Sequence, residues 1–161
     1  MAQIKTARLS VLSGCNQRAN TVVLATEVYE VLRDHPAITD RIRFGSPAIV
    51  TEEILAQLFD VDRVIVARAY RNNATKGQAP SVGSIWGESV FVMHIPKRPG
   101  LKQVAPAYTF LWNGTPGSRD GALVDRWRDH SRKADVIRVQ RYHDQRIVAP
   151  TAAYRLINTL S

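Results

Sequence analysis

"NTVVLATEVYEVLRDHPAITDRI", residues 20–42, joins an apolar triplet to a short amphipathic helix, then to a proline and a basic run. Val22, Val23 and Leu24 form a brief run with a β-branched bias, the pattern of a buried strand. A helix is expected directly after it. Thr26 is the expected N-cap, and Glu27 sits in the first turn, where the helix dipole favours an anion. Val28 and Leu32 are spaced i, i+4, and Pro36 ends the pattern. The unit is a strand feeding a capped helix, and the next segment repeats it. Thr51 caps, Glu52 and Glu53 take the first turn, and Ile54, Leu55, Leu58 and Phe59 make one apolar face before "DVD" at 60–62 breaks it. A strand then runs "RVIVARAY", Arg63 to Tyr70.

Beyond it, "RNNATKGQAPSVGS", 71–84, is rich in Asn, Gly, Pro and Ser without periodicity and reads as an exposed loop. Two strands follow, "ESVFVMHIP" at 88–96 and "AYTFLWN" at 107–113, joined by a connector containing Pro and Gly. A glycine-rich turn at 114–121 is expected to lead into a helix through Leu123 and Trp127. "DVIRVQRYHDQRIVAP", 135–150, alternates apolar with polar around a turn near His143–Gln145, a hairpin with one wetted face. The last strand is "AAYRLINTL", 152–160. These elements predict an α+β fold. Its mixed central sheet takes the strands at Val22, Val64, Val90, Phe110 and Leu156, with helices at Val28 and Ile54 on its faces and the helix at Leu123 nearby.

Composition narrows the function. The 161 residues suit one domain with a proper core, and no segment approaches the roughly 20 continuous apolar residues of a membrane span. The lone Cys15 excludes an internal disulfide and a thiolate zinc site, in keeping with a reducing compartment. The net charge of +8, carried mostly by arginine, attracts polyanions. The densest basic stretch is "RWRDHSRK", 126–133, which carries its own Asp129, so ion pairing within the segment ranks above specific phosphate contact. Arg63 and Arg68 are likewise expected to pair with carboxylates such as Asp60 or Asp62. His35, His94, His130 and His143 lie far apart, and none has the spacing of a metal site. Trp86, Trp112 and Trp127 read as core residues, Trp127 on the apolar face of its helix. No acid, base and nucleophile converge, and neither the phosphate-loop pattern nor the dinucleotide fingerprint is present. The chain is therefore read as no enzyme, with no cofactor, metal, small-molecule substrate or membrane partner.

Four segments in order, 20–44, 45–74, 85–101 and 127–157, resemble the C-terminal half of tailed-phage and prophage major capsid proteins, the family with the Hong-Kong-ninety-seven capsid fold. The resemblance spans about Asn20 to Leu160. It implies a structural shell subunit located in the virion capsid and, before assembly, the host cytoplasm. Its domains would be a lead-in segment, 1–19, and a capsid A-domain-like region, 20–161, with a peripheral-domain-like long β-hairpin at about 134–150. The implied partners are copies of the chain in pentamer- or hexamer-type rings, with non-specific contact to packaged double-stranded DNA. Arg71, Asn72, Asn73, Lys76, Gly77 and Arg98 are the expected subunit-contact residues. Arg126, Arg128, Arg132 and Lys133 are the expected DNA-facing cations. The family's N-terminal arm, extended loop and spine helix have no counterpart before Asn20, so a truncated or decayed subunit is expected. A second reading, a small basic nucleic-acid-binding protein, places the same four cations on phosphates.

Overall fold

A computed structural model describes residues 2–43, 50–114 and 121–160. The chain divides into two compact units, Met1–Pro106 with Ala149–Ser161, and Ala107–Val148. In chain order the first unit has helix α1 (Ala2–Cys15), strand β1 (Thr21–Ala25) and helices α2 (Thr26–Asp34), α3 (Pro36–Arg43) and α4 (Glu52–Phe59). Strands β2 (Arg63–Ala67), β3 (Tyr70–Asn72), β4 (Val82–Ser84) and β5 (Val90–Met93) follow. The second unit holds β6 (Ala107–Leu111), β7 (Ala122–Asp129), β8 (Ala134–Arg141) and β9 (His143–Ile147). The chain then returns through a 3-10 turn, Pro150–Ala152, to β10 (Ala153–Leu156).

The first unit is built on a mixed four-stranded sheet in the order β10-β5-β1-β2. β1 runs parallel to β2, with Val22 opposite Val64, and antiparallel to β5, with Val22 opposite Val92. A parallel pair needs a crossover, and α2 to α4 supply it. Every residue of β1 is buried, the outcome expected of a strand with a neighbour on each edge and both faces covered. Val22, Leu24, Val64, Val90 and Val92 share one hydrophobic cluster with Ile4, Ala7 and Val11 of α1, Val28 of α2, and Leu55, Ala56 and Phe59 of α4.

Several local expectations change. Within residues 1–19 the chain forms helix α1, which packs on β10 and β5 with Ile4, Ala7 and Val11 spaced on one helical face. The N-cap of α2 is Ala25, since the Thr26 hydroxyl donates instead to the Ala67 carbonyl at 2.9 Å. Thr51 does cap α4, accepting from the Ile54 amide at 3.4 Å. Pro36, read as a terminator, also opens α3 at the position where proline is best tolerated. The stretch 71–84 is no structureless loop, for β3 and β4 pair as a hairpin with Tyr70 opposite Ser84 and Asn72 opposite Val82.

The second unit departs furthest. Phe110 lies in β6, which pairs with β9 and not with the central sheet. Leu123 and Trp127 lie in β7, a strand paired with β8, and no helix forms there. A spacing of four residues puts two side chains on one face of a helix and equally on one face of a strand, so that pair alone did not discriminate. His143–Gln145 is strand rather than turn, and the chain reverses at 130–133. There the Asp129 carboxylate accepts from the Ser131 amide and hydroxyl and from the Arg132 amide, and Lys133 takes a left-handed φ of 50°. The predicted glycine-rich turn falls largely on residues 115–120, outside the described residues.

Candidate functional site

Two surfaces carry the features a binding protein needs, the β3–β4 hairpin in the first unit and the β-ribbon of the second. The hairpin is held by its own asparagines. The Asn72 side-chain oxygen accepts from the Ala74 and Ser81 amides at 3.0 and 2.9 Å, and the Arg71 guanidinium donates to the Asn73 side-chain oxygen at 2.7 Å. Lys76 and Gly77 form the tip, and Gly77 has a φ of 90°, a conformation that only glycine adopts freely. Tyr70 and Val82 lie exposed on one face of the hairpin, which gives it an apolar patch beside a polar tip. Arg98 is not part of it. It lines a cleft of about 460 Å³ with Gln17, Asn20, His94 and Lys97. Two of its polar side chains are committed to the backbone. The Asn20 side chain makes two hydrogen bonds with the Ile95 backbone, and His94 Nδ1 contacts the Arg18 carbonyl at 2.8 Å.

The ribbon is one long antiparallel pair with an interruption. Residues 134–147 pair first with β7 and then, past Tyr142, with β6. Tyr142 is the switch: its amide donates to the Gly121 carbonyl at 2.8 Å and its carbonyl accepts from the Trp112 amide at 3.3 Å. Gly121 has a φ of 71°, and a Cβ there would lie 2.8 Å from the Tyr142 oxygen, so glycine is required at the crossover. Strand alternation puts Tyr108, Phe110, Trp112, Tyr142 and Trp127 on one face. The contacts agree: Trp112 meets Tyr142 edge to face at 5.4 Å, and the Arg138 guanidinium lies 5.4 Å from the Trp127 ring. Leu111, Val124, Ile137, Val139 and Ile147 occupy the other face, all exposed. Of the three tryptophans expected in the core, only Trp86 packs against it, edge to face with Phe91.

The cations predicted to face DNA lie around the ribbon's turn, and three of the four have acidic partners. Arg126 and Arg128 lie 3.8 and 3.2 Å from Asp135, and Arg132 lies 3.8 Å from Asp129. Lys133 sits in the turn itself. Hydrogen bonds from Ser131 and the Arg132 amide hold the Asp129 carboxyl below its ordinary range. Arg63 and Arg68 do not pair with Asp60 or Asp62. Arg63 donates instead to the Thr21 hydroxyl at 3.1 Å, whereas Arg68 does pair with a carboxylate, that of Glu52, at 3.3 Å. Asp60 is held instead by Arg8 and Arg18, which also donate to the Phe59 and Asp60 carbonyls at the end of α4. Among the described residues no group of three His, Cys, Asp or Glu side chains is placed to hold a metal ion, and no helix is long and apolar enough to cross a membrane.

No protein-family model matches the chain. A major capsid protein of Burkholderia phage BcepMu is 25% identical over 119 residues, covering 70% of this chain and 37% of that protein. A crystal structure of a phage-related protein from Bordetella bronchiseptica superposes with a TM-score of 0.78 at 20% identity, covering 96% of this chain and 49% of that one. The chain thus spans about two fifths of the capsid protein and about half of the solved chain. It is similar to a phage capsid protein over the part matched, and its fold is that of a phage-related protein.

Proposed function

We propose that this chain is a structural part of a phage major capsid subunit and works by association with its own kind rather than by catalysis. The 119-residue match to a major capsid protein is the observation that carries this reading. In it, the first unit serves as the wedge-shaped A-domain, and copies meet head to tail around a rotational axis through the β3–β4 hairpin. Such a contact closes into a ring when its rotation divides a full turn. The hairpin suits the role because its asparagine bonds pre-organise the tip, which lowers the ordering cost of contact. Arg98 then contributes from a separate connector. The ribbon takes the place of the peripheral-domain hairpin, over a longer span, 107–148, than the 134–150 of the sequence reading. The location that follows is the virion shell.

Contact with packaged DNA is expected to be weak and independent of sequence, because two aspartates of the same ribbon, Asp135 between Arg126 and Arg128 and Asp129 beside Arg132, offset most of that positive charge. A dedicated nucleic-acid binder would leave those cations open.

Sedimentation velocity over a concentration series, with electron microscopy of the concentrated fractions, tests the proposal. Monomer at low concentration and five- or six-fold rings at high concentration are expected, with rings lost on Lys76→Glu. A chain that forms no species larger than a dimer at any concentration, or that binds duplex DNA tightly with a steep loss as salt rises, overturns it.

A further inference from the structure

Rings do not make a shell. Head-to-tail contacts close on themselves, so a second contact has to join one ring to the next, and the simplest is isologous, the same patch on both copies across a two-fold axis. We infer that the aromatic face of the ribbon is that contact, stacking against the aromatic face of a ribbon from a second copy. The inference rests on the capsid reading above.

Four features favour a second copy as the occupant. Phe110, Trp112 and Trp127 are 50%, 58% and 44% exposed, although nothing about a surface strand needs three large rings turned outward together. Aromatic side chains are enriched at the buried centres of interfaces, where they supply area at little entropic cost. Second, the face is neutral on its own account. Asp125 is paired with Arg138 and Asp144 with Arg146, so two such faces meet without like-charge repulsion. That same neutrality disfavours a nucleic acid on this face, which needs uncompensated cations beside the stacking rings. The opposite face, with Arg126, Arg128 and Arg141 flanking its aliphatics, is the basic one. Third, the area is of the right order. An aromatic side chain buries roughly 150–250 Å² when covered. With Phe110, Trp112 and Trp127 about half open, Tyr142 37% open and Tyr108 less so, they offer about 400 Å² per copy, and the side chains between them bring a stacked pair towards the roughly 1,000 Å² at which specific interfaces begin. Fourth, two ribbons stacked about 10 Å apart form a two-layer β-sandwich, which supplies the core that a lone two-stranded ribbon lacks. An interface of this size is weak for one pair and becomes effective when many copies repeat it within an assembly.

Gln140 lies near the middle of the aromatic face and Val139 on the opposite one, so like-to-like crosslinking in a Cys15→Ser background of the full chain separates the two. Gln140→Cys should crosslink to itself with a short bis-maleimide at least tenfold faster than Val139→Cys. Trp112→Glu introduced into the Gln140→Cys chain should abolish that crosslink. Val124→Glu, on the other face, should leave it intact, which guards against a variant that merely disorders the ribbon. Equal crosslinking at both positions, loss on Val124→Glu as well, or rings that pack into larger assemblies despite Trp112→Glu would overturn the inference while leaving the ring reading in place. The converse result, Gln140→Cys dimers with no rings, would support the ribbon contact and sink the ring. Quenching of ribbon tryptophan fluorescence by a single-stranded oligonucleotide in place of crosslinking would assign the face to nucleic acid and overturn the inference.

Discussion

The two units spend similar amounts of β-strand in opposite ways. In the first, every residue of β1 is buried and helices from three parts of the chain converge on one cluster. In the second, no described side chain between 107 and 148 is buried, yet both faces of the ribbon carry large apolar residues. Strands thus pair in both, and only the first unit has a core. Ladder hydrogen bonds contribute little net stability against water, and a two-stranded ribbon alone is marginal. The first unit is stabilised by its own packing, whereas the second is a surface made to be covered.

Truncating equivalent aliphatics in the two units should expose that difference most strongly. Leu24 is fully buried at the centre of the sheet, so Leu24→Ala removes transfer energy and leaves a cavity, at a cost of about 2–5 kcal/mol. Ile137 is 63% exposed, and Ile137→Ala should change the stability of the isolated chain by no more than about 0.5 kcal/mol. Denaturant titration followed by far-ultraviolet circular dichroism measures both. Comparable losses would mean that the ribbon already has a covered face in the monomer.

The same contrast explains what the sequence disclosed. The triplet Val22–Leu24 was legible because a strand buried on both faces reads as an unbroken apolar run, and α4 was legible because Thr51, Glu52 and Glu53 spell its start chemically. Helix α1 was missed even though Ile4, Ala7 and Val11 lie at i, i+3 and i+7. Its middle contact is a small alanine, and the residues between are polar enough to dilute the signal. The ribbon was misread because no described side chain in it is buried, so large apolar residues stand on both faces and the pattern does not mark which face is in. The aromatic row is hidden for a further reason. Trp112 and Tyr142 share a face only because the chain reverses at 130–133 and switches partner at Tyr142, and neither event is local to those residues. At 71–84 composition disclosed the turn, since Asn73 and Gly77 are residue types that tight turns favour, and the short strands flanking it, β3 and β4, lacked the periodicity to be read.

A ribbon without a core still has positions that cannot vary, and Gly121 tests this at intermediate scale. Alanine there incurs the left-handed penalty of about 1–2 kcal/mol and places its Cβ against the Tyr142 carbonyl. The expected result for Gly121→Ala is roughly a tenfold loss of amide protection at Trp112 and Tyr142, with the exchange of β1 amides unchanged. If β1 loses protection in parallel, the two units unfold as one and the contrast between them fails.

The smallest effect belongs to the first unit and concerns how α1 is held. Arg8 from α1 and Arg18 from the segment before β1 meet the Asp60 carboxylate, and both also donate to carbonyls at the C-terminal end of α4, where the helix dipole is negative. Asp60 itself takes a left-handed φ of 53°, which brings its side chain and the carbonyls into reach of the same two guanidiniums. The hydrogen bond from Arg8, followed by the charges of Arg8 and Arg18, holds the Asp60 carboxyl below its ordinary value. A carboxylate whose folded pKa is depressed contributes stability that is fully present above its unfolded pKa and is lost as pH falls through the folded one. Wild type should therefore exceed Asp60→Asn in thermal stability at neutral pH, with the gap closing on acidification below the ordinary carboxylate range. Because the Asp60 side chain is largely open to water, the gap should also shrink with added salt and stay well below the Leu24→Ala loss. Amide exchange in α1 locates the effect. Loosening of α1 on Asp60→Asn at neutral pH, with the ribbon amides unmoved, is the expected pattern. A gap that persists unchanged through acid and salt would assign the role of Asp60 to its left-handed cap geometry, and the two arginines would then be incidental.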